Sequence, residues 1–373
     1  MALDYTAAYE QGGGIGRYVR ELVNALARVD QRQPYRLFVA GQRRTLPPLP
    51  GPNFSWKATR ITPRWFARFQ RLRLPLPVEL FTGRLDLYHA TDFVLPPALP
   101  ATRTLLTVHD LSFVRVPETA SPPLKAYLDV VVPRSVRRAF HVLADSEATK
   151  QDLIELYGTP PEKITVLLSG VDTRFQPISD AQQQIAVRHK YAIGPCPYIF
   201  SVGTIQPRKN YSRLIRALAQ LRHEGHDLAL VIAGGHGWLE GEMYQTLRET
   251  QMQEHVQLIG FADDDDLPAL YSAAECLAFP SLYEGFGFPI LEAMACGTPV
   301  LTSNVSSLPE VAGDAALLVD PYDLEAIIDA LRRLITDSTL RTTLIQRGFQ
   351  QAPRFTWESA ARQLVGIYRD LLG

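Results

Sequence analysis

Short apolar runs rich in strand-forming residues alternate with segments of helical periodicity along the whole chain. This alternation predicts an α/β protein with parallel strands, because parallel neighbours must be joined by crossover connections. In the first half, strands are predicted at Tyr35–Ala40, Leu85–His89, Thr104–His109, His141–Ala144 and Ile164–Leu168, and helices at Ile15–Arg28, Leu124–Phe140 and Glu147–Tyr157. In the second half, strands are predicted at Tyr198–Val202, Leu228–Ala233, Val256–Leu258, Cys276–Phe279, Pro299–Thr302 and Ala316–Val319, and helices at Tyr211–Glu224, Gly241–Gln253, Asp264–Ser272, Phe288–Ala295 and Leu324–Thr336.

The length of the chain predicts two domains. Its 373 residues exceed what one ordinary core holds and suit two domains of roughly 150–200 residues. The boundary is predicted at Ser169–Asp172, followed by an irregular polar linker up to Pro195. We therefore expect one domain at 1–170, a second at 171–355, and a last helix at 356–373 that packs back across the boundary. Doubly wound domains bind ligands at the carboxyl ends of their strands, so the cleft between the two is the expected active site.

The charge of the chain is unevenly distributed. Residues 1–178 carry 23 Lys or Arg against 16 Asp or Glu, whereas residues 179–373 carry 15 against 23. Ten basic residues and no acidic one lie between Gln31 and Val78. The first half should therefore attract anions, either a phosphorylated acceptor or an anionic membrane surface. No nucleic-acid-binding module accompanies these charges, so nucleic acid is not an expected partner.

Cysteine usage and hydropathy bear on location. The three cysteines, Cys196, Cys276 and Cys296, have neither disulfide-framework nor zinc-site spacing. No apolar run approaches the roughly 18 residues of a membrane span, and no signal peptide opens the chain. The sequence predicts a cytoplasmic protein and leaves open peripheral attachment to the inner face of the membrane.

The segment Phe279–Val300 carries the most chemistry, in the order strand, glycine-rich turn and helix. Gly285 and Gly287 let backbone N–H groups approach a ligand, and the helix that follows favours an anion such as a diphosphate. Glu284 and Glu292 lie eight residues apart, where two carboxylates suit the hydroxyl groups of a sugar and a ribose. The alternative is a tight strand–helix connection with two solvated carboxylates.

Two further segments favour phosphate binding. Arg208 and Lys209 follow a strand and a loop that contains Gly203, where a pair of cations can neutralise a diphosphate. The alternative is two surface charges at a helix start. The loop Gly12–Gly16, with Gly14 and Gly16 as candidates, opens the first helix but lacks a complete GxGxxG pattern. A flexible turn is the alternative there.

His109 is the candidate histidine, because it ends an apolar strand and precedes Asp110. A hydrogen-bonded structural histidine is the alternative, and His89 is a competitor at a neighbouring strand end. The four acids Asp263–Asp266 are interpreted as helix caps rather than as metal ligands.

Several motifs together resemble the retaining glycosyltransferases of family 4. They are the glutamate block at 284–300, Gly12–Tyr18, Thr107–Asp110, Ala144–Ser146, Ser169–Asp172, Ser201–Asn210 and Ala233–Gly235. Their order and spacing agree over nearly the whole chain. The resemblance implies the GT-B fold, in which two Rossmann-like domains face each other across a donor and acceptor cleft.

The resemblance also implies roles for residues. His109 would lie beside the transferred sugar and orient it, Arg208 and Lys209 would hold and stabilise the leaving diphosphate, and Glu284 would complete the catalytic set. The donor-binding positions implied are Gly14, Gly16, Gly203, Gly285, Phe286, Gly287, Phe288, Leu291 and Glu292. His89 would be scaffold. The family has no acidic nucleophile at the reaction centre and uses front-face displacement, and GT-B enzymes generally need no bound metal; no cofactor is therefore expected.

The function implied is a retaining hexosyltransferase of surface polysaccharide or lipid-linked glycan synthesis, with mannose from GDP-mannose as the first choice. A sugar-nucleotide 2-epimerase of the same fold and a catalytically silent sugar-nucleotide-binding subunit are the alternatives. A nicotinamide dehydrogenase is disfavoured by the incomplete glycine pattern. The segment Trp65–Leu74, with aromatics and arginines but no acids, would either rest on anionic lipid or line the acceptor cleft.

Overall fold

The protein was analysed as a computed structural model that describes residues 1–71 and 76–373. The chain divides into two compact units. The first contains Met1–Leu111, Ala126–Gly170 and Thr356–Gly373, and the second contains Ser112–Lys125 and Val171–Phe355. Residues 72–74 of the aromatic and arginine-rich segment predicted at 65–74 lie outside the described residues.

The strands of the first unit are β1 (Ala2–Asp4), β2 (Tyr35–Ala40), β3 (Phe54–Thr59), β4 (Leu87–Ala90), β5 (Arg103–Val108), β6 (His141–Ala144) and β7 (Ile164–Val166). Those of the second unit are β8 (Tyr198–Val202), β9 (Ala229–Ala233), β10 (Val256–Gly260), β11 (Cys276–Phe279), β12 (Val300–Ser303) and β13 (Ala316–Val319). The helices before residue 200 are α1 (Thr6–Glu10), α2 (Gly14–Val29), α3 (Pro63–Arg71), α4 (Glu79–Thr82), α5 (Ser112–Arg115), α6 (Pro122–Arg138), α7 (Glu147–Tyr157) and α8 (Ala181–Lys190). The later helices are α9 (Tyr211–His223), α10 (Gly241–Thr250), α11 (Leu267–Ser272), α12 (Phe288–Ala295), α13 (Leu308–Ala312), α14 (Leu324–Thr336), α15 (Ser338–Gln351) and α16 (Trp357–Leu372).

Both sheets are parallel and doubly wound. The first has the strand order β3-β2-β1-β4-β5-β6-β7, and the second has the order β10-β9-β8-β11-β12-β13. Each order reverses direction once, between β1 and β4 in the first sheet and between β8 and β11 in the second. In open α/β sheets, ligands bind beyond the carboxyl ends of the strands at such a switch point. The predicted α/β class is confirmed, and each sheet offers one switch point.

Helices α2 and α16 pack together in the first unit. Helix α2 buries Tyr18, Val19, Leu22, Val23 and Leu26, whose spacing of three and four places them on one face. Helix α16 packs against α2, and Gly170 lets its first turn approach, since a Cβ there would lie 2.1 Å from the Trp357 nitrogen. The last helix therefore belongs to the first unit.

Among the elements that the sequence prediction missed, β3, α8 and α15 lack a clear apolar pattern. Strand β3 is an edge strand with a half-exposed polar sequence. Helix α8 buries only Val187, so the irregular linker predicted up to Pro195 is wrong: the segment contains a helix without an apolar stripe. Helix α15 buries only Leu344, Gly348 and Gln351. Periodicity detects a helix by its buried face, and these segments have almost none.

Every helix within residues 1–71 and 76–373 is too short or too polar to cross a membrane.

Candidate functional site

The switch point of the second sheet holds two cations that close on one carboxylate. Arg208 Nη1 lies 2.5 Å from Glu284 Oε2, and Lys209 Nζ lies 2.6 Å from Glu284 Oε1. Arg208 Nη1 also donates to the carbonyl of Tyr283 at 2.6 Å. The two cations follow β8 and the carboxylate follows β11, which are neighbouring strands. The sheet thus brings together residues that are 75 and 76 positions apart in the chain.

The backbone around Gly203 and Asn210 fixes the two cations. A Cβ at Gly203 would lie 2.7 Å from Lys209 Cε, so the lysine side chain passes directly over this glycine, which also has a φ of +151°. Pro207–Lys209 form a single 3₁₀ turn, and Asn210 ends it in the left-handed conformation. The Asn210 amide then donates to the carbonyls of Pro280 and Pro321 at 2.9 and 2.7 Å. The turn is therefore tied to the segment that follows β11.

Glu284 is ionised in this arrangement. Its burial alone would raise the pKa, but the charges of Arg208 and Lys209, together with the hydrogen bond from Lys209, lower the pKa to about 2. The alternative of two surface charges at a helix start is not what the structure shows, because the side chains of Arg208 and Lys209 are only 15% and 11% exposed. The charged end of each side chain contacts Glu284. Lys209 Nζ also lies 4.7 Å from the centroid of the Phe279 ring.

The glycine-rich turn is held from behind by two serines. The backbone N–H of Glu284 donates to Ser306 Oγ at 3.0 Å, and Ser307 Oγ donates to the carbonyls of Glu284 and Phe286 at 2.9 and 2.8 Å. Gly285 is buried within the turn, and Gly287 is the N-cap of α12. Serine hydroxyl groups thus satisfy three backbone polar groups of the turn.

The other predicted donor residues differ in accessibility. Glu292 is buried inside α12, and the hydroxyl of Tyr271 donates to its Oε2 at 2.7 Å. Phe286 packs edge-on against Phe288 and is buried, whereas Phe288 is half-buried. Leu291 is fully buried in the second unit. Of these side chains, Leu291 therefore contributes core packing in this structure.

In the first unit, His109 follows β5 and has acceptors at both ring nitrogens. Its Nδ1 lies 2.7 Å from Asp145 Oδ2, and its Nε2 lies 3.0 Å from the carbonyl oxygen of Thr91. The rings of Tyr18 and Phe93 meet the imidazole edge-on, with centroids 5.0 and 5.5 Å away. When Asp145 is ionised, the carboxylate and the carbonyl both accept, and only an imidazolium then satisfies both contacts.

The surroundings of His109 agree with a protonated ring. Burial alone would lower its pKa, but the charge and hydrogen bond of Asp145, the charge of Asp92 and the Thr91 carbonyl raise the pKa to about 9. His89 is the opposite case, because burial and the nearby His109 lower its pKa to about 3. His89 bonds to the Tyr368 hydroxyl and to Thr107, and thus joins α16 to the sheet.

This difference between the two histidines predicts a pH dependence of stability. The folded pKa of His109 lies above the unfolded value near 6.5, so its contribution is present below pH 6.5 and is lost as the pH rises through about 9. Between these pH values the unfolding free energy of the wild type should fall by about 3 kcal/mol relative to His109→Gln. Chemical unfolding of both proteins at several pH values measures this difference. His89→Gln is the matched control and should give a flat difference; a flat result for His109→Gln would contradict the imidazolium.

The two candidate glycines at the start of α2 have different surroundings. Gly14 is the first residue of α2 and faces open space, whereas a Cβ at Gly16 would lie 2.2 Å from the carbonyl oxygen of Gln11. Arg20 Nη1 donates to the carbonyls of Ala8 and Gln11 at 3.0 and 2.9 Å. Gly16 is therefore needed for close backbone approach, and Gly14 leaves the helix N-terminus uncovered.

Sequence reasoning missed the residues that support the site. Asp145 follows β6 directly, so its position at a strand end was a usable signal. Thr91 contacts His109 through its backbone carbonyl, and Tyr271 reaches Glu292 from α11, 21 residues away. Neither contact has a signature in the local sequence.

The acidic run Asp263–Asp266 forms ion pairs. Lys190 Nζ contacts Asp263 and Asp266 at 2.7 and 2.5 Å, and Arg174 contacts Asp265 at 3.4 Å. The interpretation as helix caps holds only for position: Asp266 is the N-cap residue of α11, but its carboxylate makes no capping hydrogen bond and pairs with Lys190 instead. In the described part of the chain, no three His, Cys, Asp or Glu residues are arranged to hold a metal ion.

Comparison with known proteins agrees with this architecture. Residues 12–175 match the model of Glycosyltransferase Family 4, and residues 184–351 match that of Glycosyl transferases group 1. O-antigen chain mannosyltransferase B of Escherichia coli is 33% identical over 369 residues, which are 96% of each chain. Serotype-specific mannosyltransferase WbdA of Escherichia coli is 34% identical over 239 residues, 63% of this chain and 29% of that protein. Sucrose-phosphate synthase from Thermosynechococcus elongatus has a similar structure, with a TM-score of 0.76 and 23% identity over 99% of this chain and 98% of that one.

Two doubly wound units with this match define a glycosyltransferase of the GT-B fold, and specifically a hexosyltransferase. The chain belongs to glycosyltransferase family 4.

Proposed function

We propose that this enzyme transfers mannose from GDP-mannose to a glycan or lipid-linked acceptor with retention of the α configuration. The observation that carries the proposal is the pair Arg208 and Lys209 at the switch point of the second sheet, closed on Glu284. Two adjacent cations at this edge suit the diphosphate of a nucleotide sugar. The choice of mannose is supported by the names of the two similar mannosyltransferases.

In this proposal, the donor occupies the turn and the start of α12. Arg208 and Lys209 neutralise the diphosphate, assisted by backbone N–H groups at Gly285 and Gly287 and at the N-terminus of α12. Glu284 accepts hydroxyl groups of the hexose, and Glu292, oriented by Tyr271, accepts those of the ribose. Gly14 faces open space at the start of α2 and leaves room for a phosphate, whereas Gly203 gives room to the Lys209 side chain and Gly16 to the Gln11 carbonyl.

Transfer then proceeds by front-face displacement. The acceptor oxygen forms the new bond at the anomeric carbon on the face that the diphosphate leaves, and the acceptor proton passes to the departing phosphate oxygen. Arg208 and Lys209 stabilise the negative charge that develops on that phosphate. His109 is proposed to lie beside the transferred sugar and to orient it.

A panel of nucleotide sugars tests the donor assignment. GDP-mannose at 100 times its dissociation constant should stabilise the protein by about 2.7 kcal/mol, which is a measurable rise in unfolding temperature. UDP-glucose, UDP-N-acetylglucosamine and GDP-glucose are the comparison ligands. An equal or greater rise in unfolding temperature with a UDP-sugar would overturn the choice of GDP-mannose. Transfer of mannose to an acceptor glycan would complete the test.

A second prediction concerns metal ions. Because the leaving group is proposed to be neutralised by side-chain cations, transfer activity should persist after exhaustive treatment with a chelator. The measurement is the initial rate before and after chelation, with and without added Mg²⁺ or Mn²⁺. Loss of activity that only a divalent ion restores would contradict the metal-independent mechanism.

A further inference from the structure

The carboxyl edge of the first sheet holds an arginine-rich cavity away from its switch point. The cavity has a volume of about 960 Å³ and lies beyond β2 and β3. It is lined by Gln42, Arg43, Arg44, Thr45, Leu46, Pro47, Trp56 and Arg60. We call it the arginine cavity. Its volume lies in the range of small-molecule sites, and it is bordered by the carboxyl ends of β2 and β3.

The arginines of the arginine cavity make no ion pair within residues 1–71 and 76–373. These three arginines, Arg43, Arg44 and Arg60, line the cavity together with no acidic side chain. Guanidinium groups bind phosphate through paired N–H donors, so an uncompensated cluster of three selects a phosphate-bearing ligand.

Tyr9 fixes the backbone of Arg43 and Arg44 in the arginine cavity. The backbone N–H groups of Arg43 and Arg44 both donate to the Tyr9 hydroxyl, at 3.1 and 2.6 Å, and that hydroxyl donates to the Arg44 carbonyl at 2.9 Å. Arg44 Nη2 donates to the Tyr9 carbonyl at 2.8 Å, and its guanidinium lies over the Tyr9 ring. Arg44 is thereby preorganised, and the exposed side chains of Arg43 and Arg60 remain available to a ligand.

Trp56 adds an apolar wall next to the arginines. Its indole is half-buried, meets the Tyr5 ring edge-on at 5.2 Å, and donates its N–H to the Pro47 carbonyl at 3.2 Å. With its donor already used, the indole offers only its ring surface, which suits the apolar C–H face of a pyranose. An aromatic surface beside a phosphate-binding cluster fits a sugar that carries a phosphate.

We propose that the arginine cavity binds the phosphate and adjoining sugar of a phosphate-bearing acceptor, with Arg43 and Arg60 on the phosphate and Trp56 on the sugar. This inference rests on the proposed glycosyl transfer and names the class of acceptor. The same phosphate chemistry occurs in a soluble glycosyl phosphate and in a lipid-linked one.

The test is direct binding rather than activity. Mannose 1-phosphate is titrated by calorimetry into protein saturated with GDP, so that the donor site is already filled. The double variant Arg43→Gln/Arg60→Gln should bind it at least about tenfold more weakly, as expected for lost charged hydrogen bonds. Arg32→Gln, an exposed arginine on the opposite edge of the same sheet, is the matched control and should bind like the wild type. Methyl α-mannoside, which lacks the phosphate, should bind more weakly than mannose 1-phosphate.

Further variants and ligands distinguish a sugar-phosphate site from a membrane contact. Trp56→Leu should weaken mannose 1-phosphate but not inorganic phosphate, and equal losses for both would remove the sugar contact. Unchanged mannose 1-phosphate binding by the double variant would overturn the proposal. If the double variant instead loses only its binding to phosphatidylglycerol vesicles, the cavity is a membrane contact and the proposal is also overturned. GDP affinity is measured separately in every protein: failure to bind GDP contradicts the donor assignment, whereas the effect of Arg43 and Arg60 on mannose 1-phosphate can still be read without GDP.

Discussion

Replacement of Arg208 or Lys209 by alanine is expected to lower turnover by roughly 30- to 1,000-fold, or about 2–4 kcal/mol for each lost electrostatic contact. Both side chains are proposed to stabilise the diphosphate as it leaves, when its charge is greatest. A contact that strengthens in the transition state should change turnover more than ground-state binding. Initial rates with the preferred nucleotide sugar, compared at saturating donor, measure this loss.

The ion pairs seen in the structure require a stability control in the same experiment. Each alanine variant leaves Glu284 buried with one cation instead of two, so both variants should also unfold more easily. Turnover must therefore be compared below the unfolding temperature of every variant. Arg332→Ala breaks an ion pair with Glu224 on the surface of the same unit and should change neither rate nor stability appreciably. Near-normal transfer by folded Arg208→Ala or Lys209→Ala would remove that residue from the site.

The fold could be predicted largely because the central strands are buried and mostly apolar. β9 and β11 are short continuous apolar runs, and the buried strands β8 and β12 interrupt theirs only with serine or threonine. Elements at the periphery bury little and leave no such signal, as in β3 and α8. Sequence pattern therefore detects the interior of the sheets better than their edges.

The candidate site was predictable in its composition but not in its pairing. Arg208, Lys209 and Glu284 stand beside glycine-rich turns, which the sequence displays. That the three form one ion-paired cluster depends on β8 and β11 being neighbours, a property of strand order that no local pattern contains. The same is true of His109, whose protonation is set by Asp145 on the next strand.

The ion-paired cluster leads to the second large effect, which concerns Glu284 itself. Glu284→Ala should destabilise the ligand-free protein by about 3–5 kcal/mol, because it leaves two largely buried cations without their carboxylate. A nucleoside diphosphate supplies negative charge to the same cations. The rise in unfolding temperature caused by GDP should therefore be larger in Glu284→Ala than in the wild type, as thermal unfolding with and without GDP will measure.

Ligand affinities then separate the roles of the two glutamates. Glu284→Ala should weaken GDP-mannose relative to GDP by tenfold or more, since a charged hydrogen bond is worth roughly 1.5–3 kcal/mol and only the sugar nucleotide carries the hexose. Glu292→Ala should weaken both ligands alike, because both contain the ribose. Glu284→Gln keeps the shape of the side chain and isolates the contribution of its charge. If Glu284→Ala weakened GDP as much as GDP-mannose, Glu284 would serve only to hold Arg208 and Lys209, and its proposed contact with the hexose would be wrong.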